Sequence, residues 1–167
     1  RGDDTVFVGT SRNVPRPVVM SAVRAGVPLR LYGSGWEKFL PEFPIAAPYV
    51  PNHELPALYG TAGVVLNDHW ADMAREGFIS NRLFDVVAAG GRVISDYVEG
   101  IEDIFGEAVQ TYASPAELQT LLTTAPARLF PDDDAITAIS DRVREQHSFE
   151  SRARVLLDRA LTDLGHR

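Results

Sequence analysis

The sequence predicts a three-layer α/β domain built on one doubly wound, Rossmann-like parallel sheet of about six strands. Short β-type apolar runs alternate with helical patterns from the start of the chain almost to its end. No internal repeat, linker or low-complexity tract interrupts this alternation. Because strand–helix–strand units pair their strands in parallel through right-handed crossovers, we expect helices on both faces of the sheet.

The size of the chain fits this architecture. Its 167 residues correspond to a single domain spanning 1–167, and 45% hydrophobic with 23% charged residues is typical of a globular protein. The sequence starts at Arg1 without a methionine, so we expect it to be the C-terminal part of a longer chain.

Proline and glycine punctuate the first half of the chain. Pro17 suits the first turn of a helix that Gly26 ends, and Asn52 is expected to cap a second helix that Gly60 ends. These signals predict strands over Thr5–Val8, Leu29–Tyr32, Ala47–Val50 and Gly63–Leu66, and helices over Pro17–Ala25 and Asn52–Tyr59. A polar stretch, 67–77, follows them.

The second half continues the pattern. We predict helices over Ser80–Ala89 and near Ile101–Phe105, and strands over Arg92–Ser95 and Ala108–Tyr112. The run Ser114-Pro115-Ala116-Glu117 is a capping box that starts another helix. Apolar residues at spacings of three and four then predict two further amphipathic helices, with Ile136, Ile139 and Val143 on one, and Phe149, Ala153, Leu156, Leu157, Ala160 and Leu164 on the other.

Composition excludes several classes of function. A net charge of −7 argues against nucleic-acid binding, and no apolar run approaches the roughly 20 residues of a membrane span. The absence of cysteine predicts a cytoplasmic location. The glycine-rich dinucleotide motif and the Walker lysine motif are both missing. Asp132, Asp133 and Asp134 suit a helix start better than a metal site, so neither a cofactor nor a metal is expected.

Polar residues cluster in the loops that follow the predicted strands. Ligands of open parallel sheets bind at the carboxyl ends of the strands, so these loops are the place to seek function. The first loop offers Gly9, where backbone amides can approach a ligand, and two arginines, Arg12 and Arg16, that can neutralise a phosphate. The alternative is that both arginines are solvated.

The segment 76–96 combines a loop, a helix N-terminus and polar side chains among apolar ones. Ser80, Asn81 and Arg82 lie at the helix start, where free N–H groups favour an anion, and Asp85 follows one turn later. The alternative interpretation is an ion pair between Arg82 and Asp85 on a solvated helix face.

The runs Val64-Val65-Leu66-Asn67, Glu76-Gly77-Phe78-Ile79-Ser80-Asn81-Arg82-Leu83-Phe84-Asp85 and Ala88-Ala89-Gly90-Gly91-Arg92-Val93-Ile94-Ser95-Asp96 carry a family resemblance. They resemble the nucleotide-sugar-binding half of group 1 glycosyltransferases with the two-domain GT-B fold, and most of all the CgeB-like subgroup. The resemblance covers most of the chain after Tyr32.

The resemblance implies a role for each candidate residue. Asp85 corresponds to the acid that holds the ribose hydroxyls, although it lies nine residues after Glu76 where the family has eight. Arg12 or Arg16 would bind the diphosphate near Gly9; Ser80, Asn81 and Arg82 would form a second phosphate-binding surface. Main-chain groups of Val50 and Pro51 would hold the base. Glu76 and His69 are the candidate catalytic residues; for His69 the alternative is an ordinary exposed loop histidine.

The resemblance thus implies a donor-binding domain that takes a nucleoside-diphosphate sugar and transfers the sugar, with retention and without a metal, to an unknown acceptor. An N-terminal acceptor domain of the same chain would form the other wall of the cleft. Two alternatives remain open at this point: a nucleotide-sugar epimerase-like domain, or a non-catalytic nucleotide- or glycan-binding module of a spore or envelope protein.

Overall fold

The computed structural model describes residues 1–165 and contains one six-stranded sheet in which all neighbouring strands are parallel. The order across the sheet is β3-β2-β1-β4-β5-β6, so the predicted doubly wound sheet is confirmed. The strands are β1 (Thr5–Val8), β2 (Leu29–Tyr32), β3 (Ile45–Ala47), β4 (Val64–Asn67), β5 (Val93–Asp96) and β6 (Val109–Tyr112).

The helices of the described residues lie between and after these strands. They are α1 (Pro17–Ala25), α2 (Leu55–Thr61), α3 (Ala71–Arg75), α4 (Asn81–Ala88), α5 (Ile101–Phe105), α6 (Pro115–Thr123), α7 (Pro126–Leu129), α8 (Asp133–His147) and α9 (Phe149–Gly165). Among these residues, no helix has the length and apolar character needed to cross a membrane.

Helices cover both faces of the sheet, which gives the predicted three layers. Val6 and Phe7 are consecutive in β1 and both are fully buried, because neighbouring strand residues point to opposite faces. Val6 belongs to a core shared with α2, α4, α5 and α8. Phe7 belongs to a second core shared with α1 and α6, where it packs edge-to-face on Trp36 with ring centroids 5.7 Å apart.

The third strand and the helix after it differ from the prediction. β3 ends at Ala47, which pairs with Tyr32 of β2. The ladder goes no further because Pro48 has no N–H with which to extend it. α2 begins only at Leu55, after a turn in which the Glu54 N–H donates to the Pro51 carbonyl (2.9 Å). No side chain of the described residues caps α2, so the prediction that Asn52 caps it is wrong.

Gly60 was expected to end α2 but lies inside it. A Cβ at this position would stand 2.7 Å from the carbonyl oxygen of Ala89. Glycine is therefore required here for the close approach of α2 to the end of α4, and not as a helix stop.

Two predicted caps are confirmed. The Ser114 hydroxyl accepts a hydrogen bond from the Glu117 N–H (3.2 Å), while the Glu117 carboxylate accepts one from the Ala113 N–H (2.7 Å). At the start of α8, the Asp132 carboxylate accepts from the Ala135 N–H (2.9 Å), as the capping interpretation of the acidic run requires.

We expect Ser114→Ala to lower the free energy of unfolding by about 1 kcal/mol, because the Glu117 N–H loses its acceptor. For a chain of this size the loss corresponds to a fall in Tm of roughly 2 to 4 °C, measurable by calorimetry. Ser114→Thr keeps the hydroxyl and is the matched control. An equal loss in both variants would contradict the capping role.

The apolar stripe predicted on the last helix is exposed. α9 forms over Phe149–Gly165, but 88% of Phe149, 72% of Leu156 and 59% of Leu157 remain accessible. The side chain of Leu164 lies outside those that the structure describes. Helical periodicity thus predicted the helix but not what its apolar face would contact.

Candidate functional site

The carboxyl edge of the sheet brings together the loops after β1, β2, β4 and β5. From β1 the strands β2 and β3 are added toward one edge of the sheet, and β4, β5 and β6 toward the other. The switch point between β1 and β4 is where open parallel sheets form a ligand crevice. Gly33 has φ +118°, and a Cβ there would overlap the Gly9 carbonyl, so the loops after β1 and β2 pack backbone to backbone. The Trp36 indole N–H donates to the same carbonyl (3.0 Å).

The loop after β1 is strained and exposes one of its two arginines. Arg12 and Asn13 have φ values of 51° and 60°, the left-handed region that non-glycine residues rarely adopt outside functional sites and turns. Ser11 beneath them is fully buried and accepts a hydrogen bond from the Asn13 N–H (3.2 Å). Arg12 is exposed, with its guanidinium 6.0 Å from the Trp70 ring centre.

Arg16 is buried, so the interpretation of it as a solvated loop residue is wrong. Its Nε donates to the Asp68 carboxylate (2.9 Å), and its Nη2 donates to both the carboxylate and the carbonyl of Asp68. The guanidinium also lies over the Trp70 ring, 4.5 Å from its centre. Because Asp68 already neutralises Arg16, Arg12 is the better placed of the two arginines to meet an anion.

Arg82 turns inward across the carboxyl edge and does not form the ion pair with Asp85 that was the alternative interpretation. Its Nη1 donates to Asn67 Oδ1 (3.3 Å), and its guanidinium lies 4.9 Å from the centre of the Phe7 ring. A Cβ on Gly9 would stand 3.1 Å from Arg82 Nη2, so glycine leaves room for this side chain. Arg82 thereby lies at the end of β1, beside the loop of Gly9 and Arg12, where the resemblance predicts diphosphate binding.

The Arg82 charge is desolvated and incompletely compensated. Burial lowers the pKa of Arg82, and the groups that most oppose this shift are the Tyr59 hydroxyl and then the Asp68 carboxylate, which is itself paired with Arg16. Within the described part of the chain, no carboxylate forms a salt bridge with Arg82. A buried cation without its own counter-ion is costly, and an anionic ligand would supply the missing partner.

The first turn of α4 uses most of its backbone N–H groups internally. The Arg82 N–H donates to the Ser80 hydroxyl (3.3 Å), and the Leu83 N–H donates to the Ser80 carbonyl (3.0 Å). The Ser80 N–H donates to His69 Nε2 (2.9 Å). Any anion at this terminus would therefore depend chiefly on the Arg82 guanidinium and on Asn81, which is exposed.

His69 is neither exposed nor open to a substrate. Its side chain is fully buried, so the expectation of an ordinary exposed histidine is wrong. Its Nδ1 lies 2.6 Å from the Asp96 carboxylate, and its Nε2 accepts from the Ser80 N–H. With both ring nitrogens engaged, His69 has none free for proton transfer.

Asp85 lines a cavity of about 450 Å³ between α2 and α4. Asn52, Leu55, Pro56 and Tyr59 form the opposite wall. Burial raises the pKa of Asp85, with the positive charge of Arg82 opposing the shift, and burial likewise raises the pKa of Tyr59. An acceptor beside apolar and aromatic walls suits a polyhydroxylated ligand with a flat ring.

The remaining predicted site residues lie apart from this cavity. Val50 lines a separate cavity of about 510 Å³ beside β3, and Pro51 is half-buried in the turn before α2. Glu76 is exposed after α3, where its carboxylate accepts from Arg75 Nε (3.2 Å). No group of three or more His, Asp or Glu side chains within residues 1–162 could hold a metal ion.

Several residues of the site were not singled out from the sequence. Asn67, Asp68 and Asp96 stand at or directly after the carboxyl ends of β4 and β5, and Tyr59 lies on α2. The position of the first three at strand ends is a signal that could have found them. Tyr59 had no such signal, because it lies within an amphipathic helical pattern like any core residue.

The comparisons with known proteins agree with this geometry. A family model described as glycosyl transferase-like matches residues 14–158, and the chain belongs to this family. No curated protein sequence matches the chain. The fold is that of part of the GT-B glycosyltransferases.

Three solved structures illustrate the likeness. The pneumococcal O-GlcNAc transferase GtfA, solved with UDP and GlcNAc, is 12% identical with a TM-score of 0.62, and the match covers 99% of this chain and 36% of GtfA. AviGT4, a glycosyltransferase of avilamycin A biosynthesis, is 18% identical with a TM-score of 0.58, over 95% of this chain and 52% of AviGT4. The kitacinnamycin glycotransferase is 13% identical with a TM-score of 0.52, over 95% and 43%. This chain thus spans about a third to a half of each.

Proposed function

We propose that this chain is the donor-binding domain of a GT-B glycosyltransferase and that it holds the nucleoside-diphosphate part of a nucleotide sugar. The observation that carries the proposal is the partly buried Arg82 guanidinium at the switch point of the sheet, with which no carboxylate of the described residues forms a salt bridge. A diphosphate beside Gly9 would give Arg82 its counter-ion and bring the exposed Arg12 within the same electrostatic field.

The nucleoside would lie in the cavity between α2 and α4. There Asp85 can accept hydrogen bonds from ribose hydroxyls, while Leu55 and Pro56 offer apolar surface to the base. This arrangement keeps the resemblance-based role of Asp85, and it moves the base from the main chain of Val50 and Pro51 toward the side chains of α2.

In the transfer step, negative charge would develop on the departing diphosphate. Arg82 is held in place by Asn67 and Phe7 before any ligand arrives, so it would stabilise that charge without rearranging. The acceptor would be held by a further domain, as would any general base. Retention of configuration, the CgeB-like subgroup and a cytoplasmic location are parts of the same proposal.

A calorimetric and thermal-shift panel of UDP, GDP, ADP and dTDP, each with its nucleoside, tests this function. We expect at least one diphosphate to bind with a Kd between about 10 μM and 1 mM, and its nucleoside to bind more weakly. A ligand at 100 times its Kd would stabilise the domain by about 2.7 kcal/mol. Absence of binding by all four diphosphates would contradict the proposal.

We expect Asp85→Asn to weaken ribonucleotide binding more than 2′-deoxyribonucleotide binding, because only the ribonucleotide loses both hydroxyl contacts. The expected loss is about 1.5 to 3 kcal/mol for the ribonucleotide, the range for a hydrogen bond to a charged group. Titration calorimetry with UDP and 2′-deoxy-UDP measures the difference. Equal losses for the two ligands would remove Asp85 from the ribose site.

A further inference from the structure

The buried His69 ring connects three elements that are far apart in the sequence. It follows β4, its Nδ1 contacts Asp96 at the end of β5, and its Nε2 accepts the Ser80 N–H at the start of α4. The His69 backbone N–H also donates to the Asp96 carboxylate, at 3.0 and 3.1 Å from its two oxygens. The ring thus joins the carboxyl edge of the sheet to the helix that carries Arg82.

The partners determine the tautomer of His69. Nε2 faces an N–H group and must be the acceptor, so the ring proton is on Nδ1 and is donated to Asp96. A proton on Nε2 would face the Ser80 N–H donor and abolish that bond. His69 is therefore neutral and of one tautomer when the start of α4 is in place.

Three further hydrogen bonds connect Asp96 to the Arg82 side chain. The Ser95 hydroxyl donates to Asp96 (3.2 Å) and accepts from Asn67 Nδ2 (2.9 Å), while Asn67 Oδ1 accepts from Arg82 Nη1 (3.3 Å). These hydrogen bonds form a closed circuit that begins and ends at the first turn of α4. Its members are the Ser80 amide, His69, Asp96, Ser95, Asn67 and Arg82. It defines both the position of the helix terminus and the direction of the guanidinium.

We infer that His69 is a positioning residue that aligns the start of α4 and, with it, Arg82 for a diphosphate. The inference rests on the proposed function for the identity of the ligand, but the hydrogen bonds that carry it are independent of any ligand. It replaces the sequence-based assignment of His69 as a catalytic residue, because neither ring nitrogen is free.

Two substitutions distinguish the contributions of the Nδ1 and Nε2 hydrogen bonds of His69. His69→Gln places an amide oxygen near the position of Nε2 and keeps an acceptor for the Ser80 N–H. His69→Asn places an amide near Nδ1, keeps the contact with Asp96 and leaves the Ser80 N–H without its acceptor. We expect the asparagine variant to lose about tenfold or more in UDP affinity, and the glutamine variant to lose no more than about threefold.

Uridine affinity, measured by NMR titration, is expected to stay unchanged in both variants, since the nucleoside cavity does not include His69. A general loss of structure would lower the affinities for UDP and uridine together. Equal UDP affinities of the glutamine and asparagine variants would overturn the inference.

Two measurements on the unsubstituted 167-residue chain need no ligand. The ¹⁵N shifts of His69 should show a proton on Nδ1 and none on Nε2 at pH 7, and the Ser80 amide should exchange slowly with solvent. A proton on Nε2, or rapid exchange of that amide, would overturn the inference even if neither variant folds. Failure of UDP, GDP, ADP and dTDP to bind, together with the expected tautomer, would instead count against the proposed function alone.

Discussion

Arg82→Met is expected to weaken UDP binding by about 1.5 to 3 kcal/mol, a loss of roughly 10- to 150-fold in affinity. Methionine retains much of the side-chain volume over Phe7 but removes the charge that the diphosphate would meet. Titration calorimetry with UDP and uridine measures the effect. The loss should be confined to UDP, because the nucleoside cavity is lined by Asp85 and not by Arg82.

The same substitution should have little effect on the unliganded domain, changing its free energy of unfolding by about 1 kcal/mol or less. It leaves Asn67 Oδ1 without the Arg82 donor but also removes a desolvated cation whose pKa burial has lowered. A change this small would show that Arg82 contributes little to stability, as expected of a residue whose role is to bind an anion.

Arg92→Met is the matched control. Burial also lowers the pKa of Arg92, and its guanidinium lies 5.9 Å from the Phe130 ring centre, but it precedes β5 at the opposite edge of the sheet. UDP affinity should be unaffected in this variant. If Arg92→Met and Arg82→Met weakened UDP binding equally, or if Arg82→Met did not weaken it at all, Arg82 would have no specific role.

Asp68→Asn is expected to be the most destabilising of the substitutions considered, with a loss of about 3 to 5 kcal/mol in the free energy of unfolding. The Arg16 and Asp68 side chains are only 8% and 7% exposed, so removal of the carboxylate charge leaves a buried guanidinium without compensation. The corresponding fall in Tm is roughly 6 to 20 °C, measurable by differential scanning calorimetry.

Two further variants distinguish loss of charge compensation from loss of packing. Arg16→Met combined with Asp68→Leu removes both charges and should recover most of the stability, since buried ion pairs are often replaceable by apolar side chains. Glu150→Gln breaks the exposed pair with Arg154 and should cost no more than about 0.5 kcal/mol. A double variant as unstable as Asp68→Asn would show that the cost is one of shape and not of charge.

Much of the secondary structure could be predicted because its signals are local. β1, β2, α1 and α5 have the predicted bounds. Pro17 starts α1, and Gly26 ends it with φ +67°, so one short segment contains its own start and stop. The alternation of such segments determined the parallel α/β class, since parallel strands need crossovers of this kind.

The bounds that failed have two different causes. Gly60 is required by the carbonyl of Ala89 at the end of α4, which lies outside the few residues that define a local pattern. β3 ends at Ala47 because Pro48 follows it, and this signal is local and stands within the predicted strand.

The candidate site, too, has features that the sequence predicts and features that depend on the tertiary structure. The sequence by itself determined that arginines, an acid and a helix start would gather at the carboxyl edge of the sheet, because the parallel direction of the strands follows from the alternation of elements. Only the tertiary structure decided their pairing. Asp68 neutralises Arg16 across 52 positions of sequence, His69 reaches Asp96 across 27, and Arg82 turns away from nearby Asp85 toward Asn67. The partner of a buried charge is the group that meets it when both leave water, and packing of the sheet and helices determines that choice.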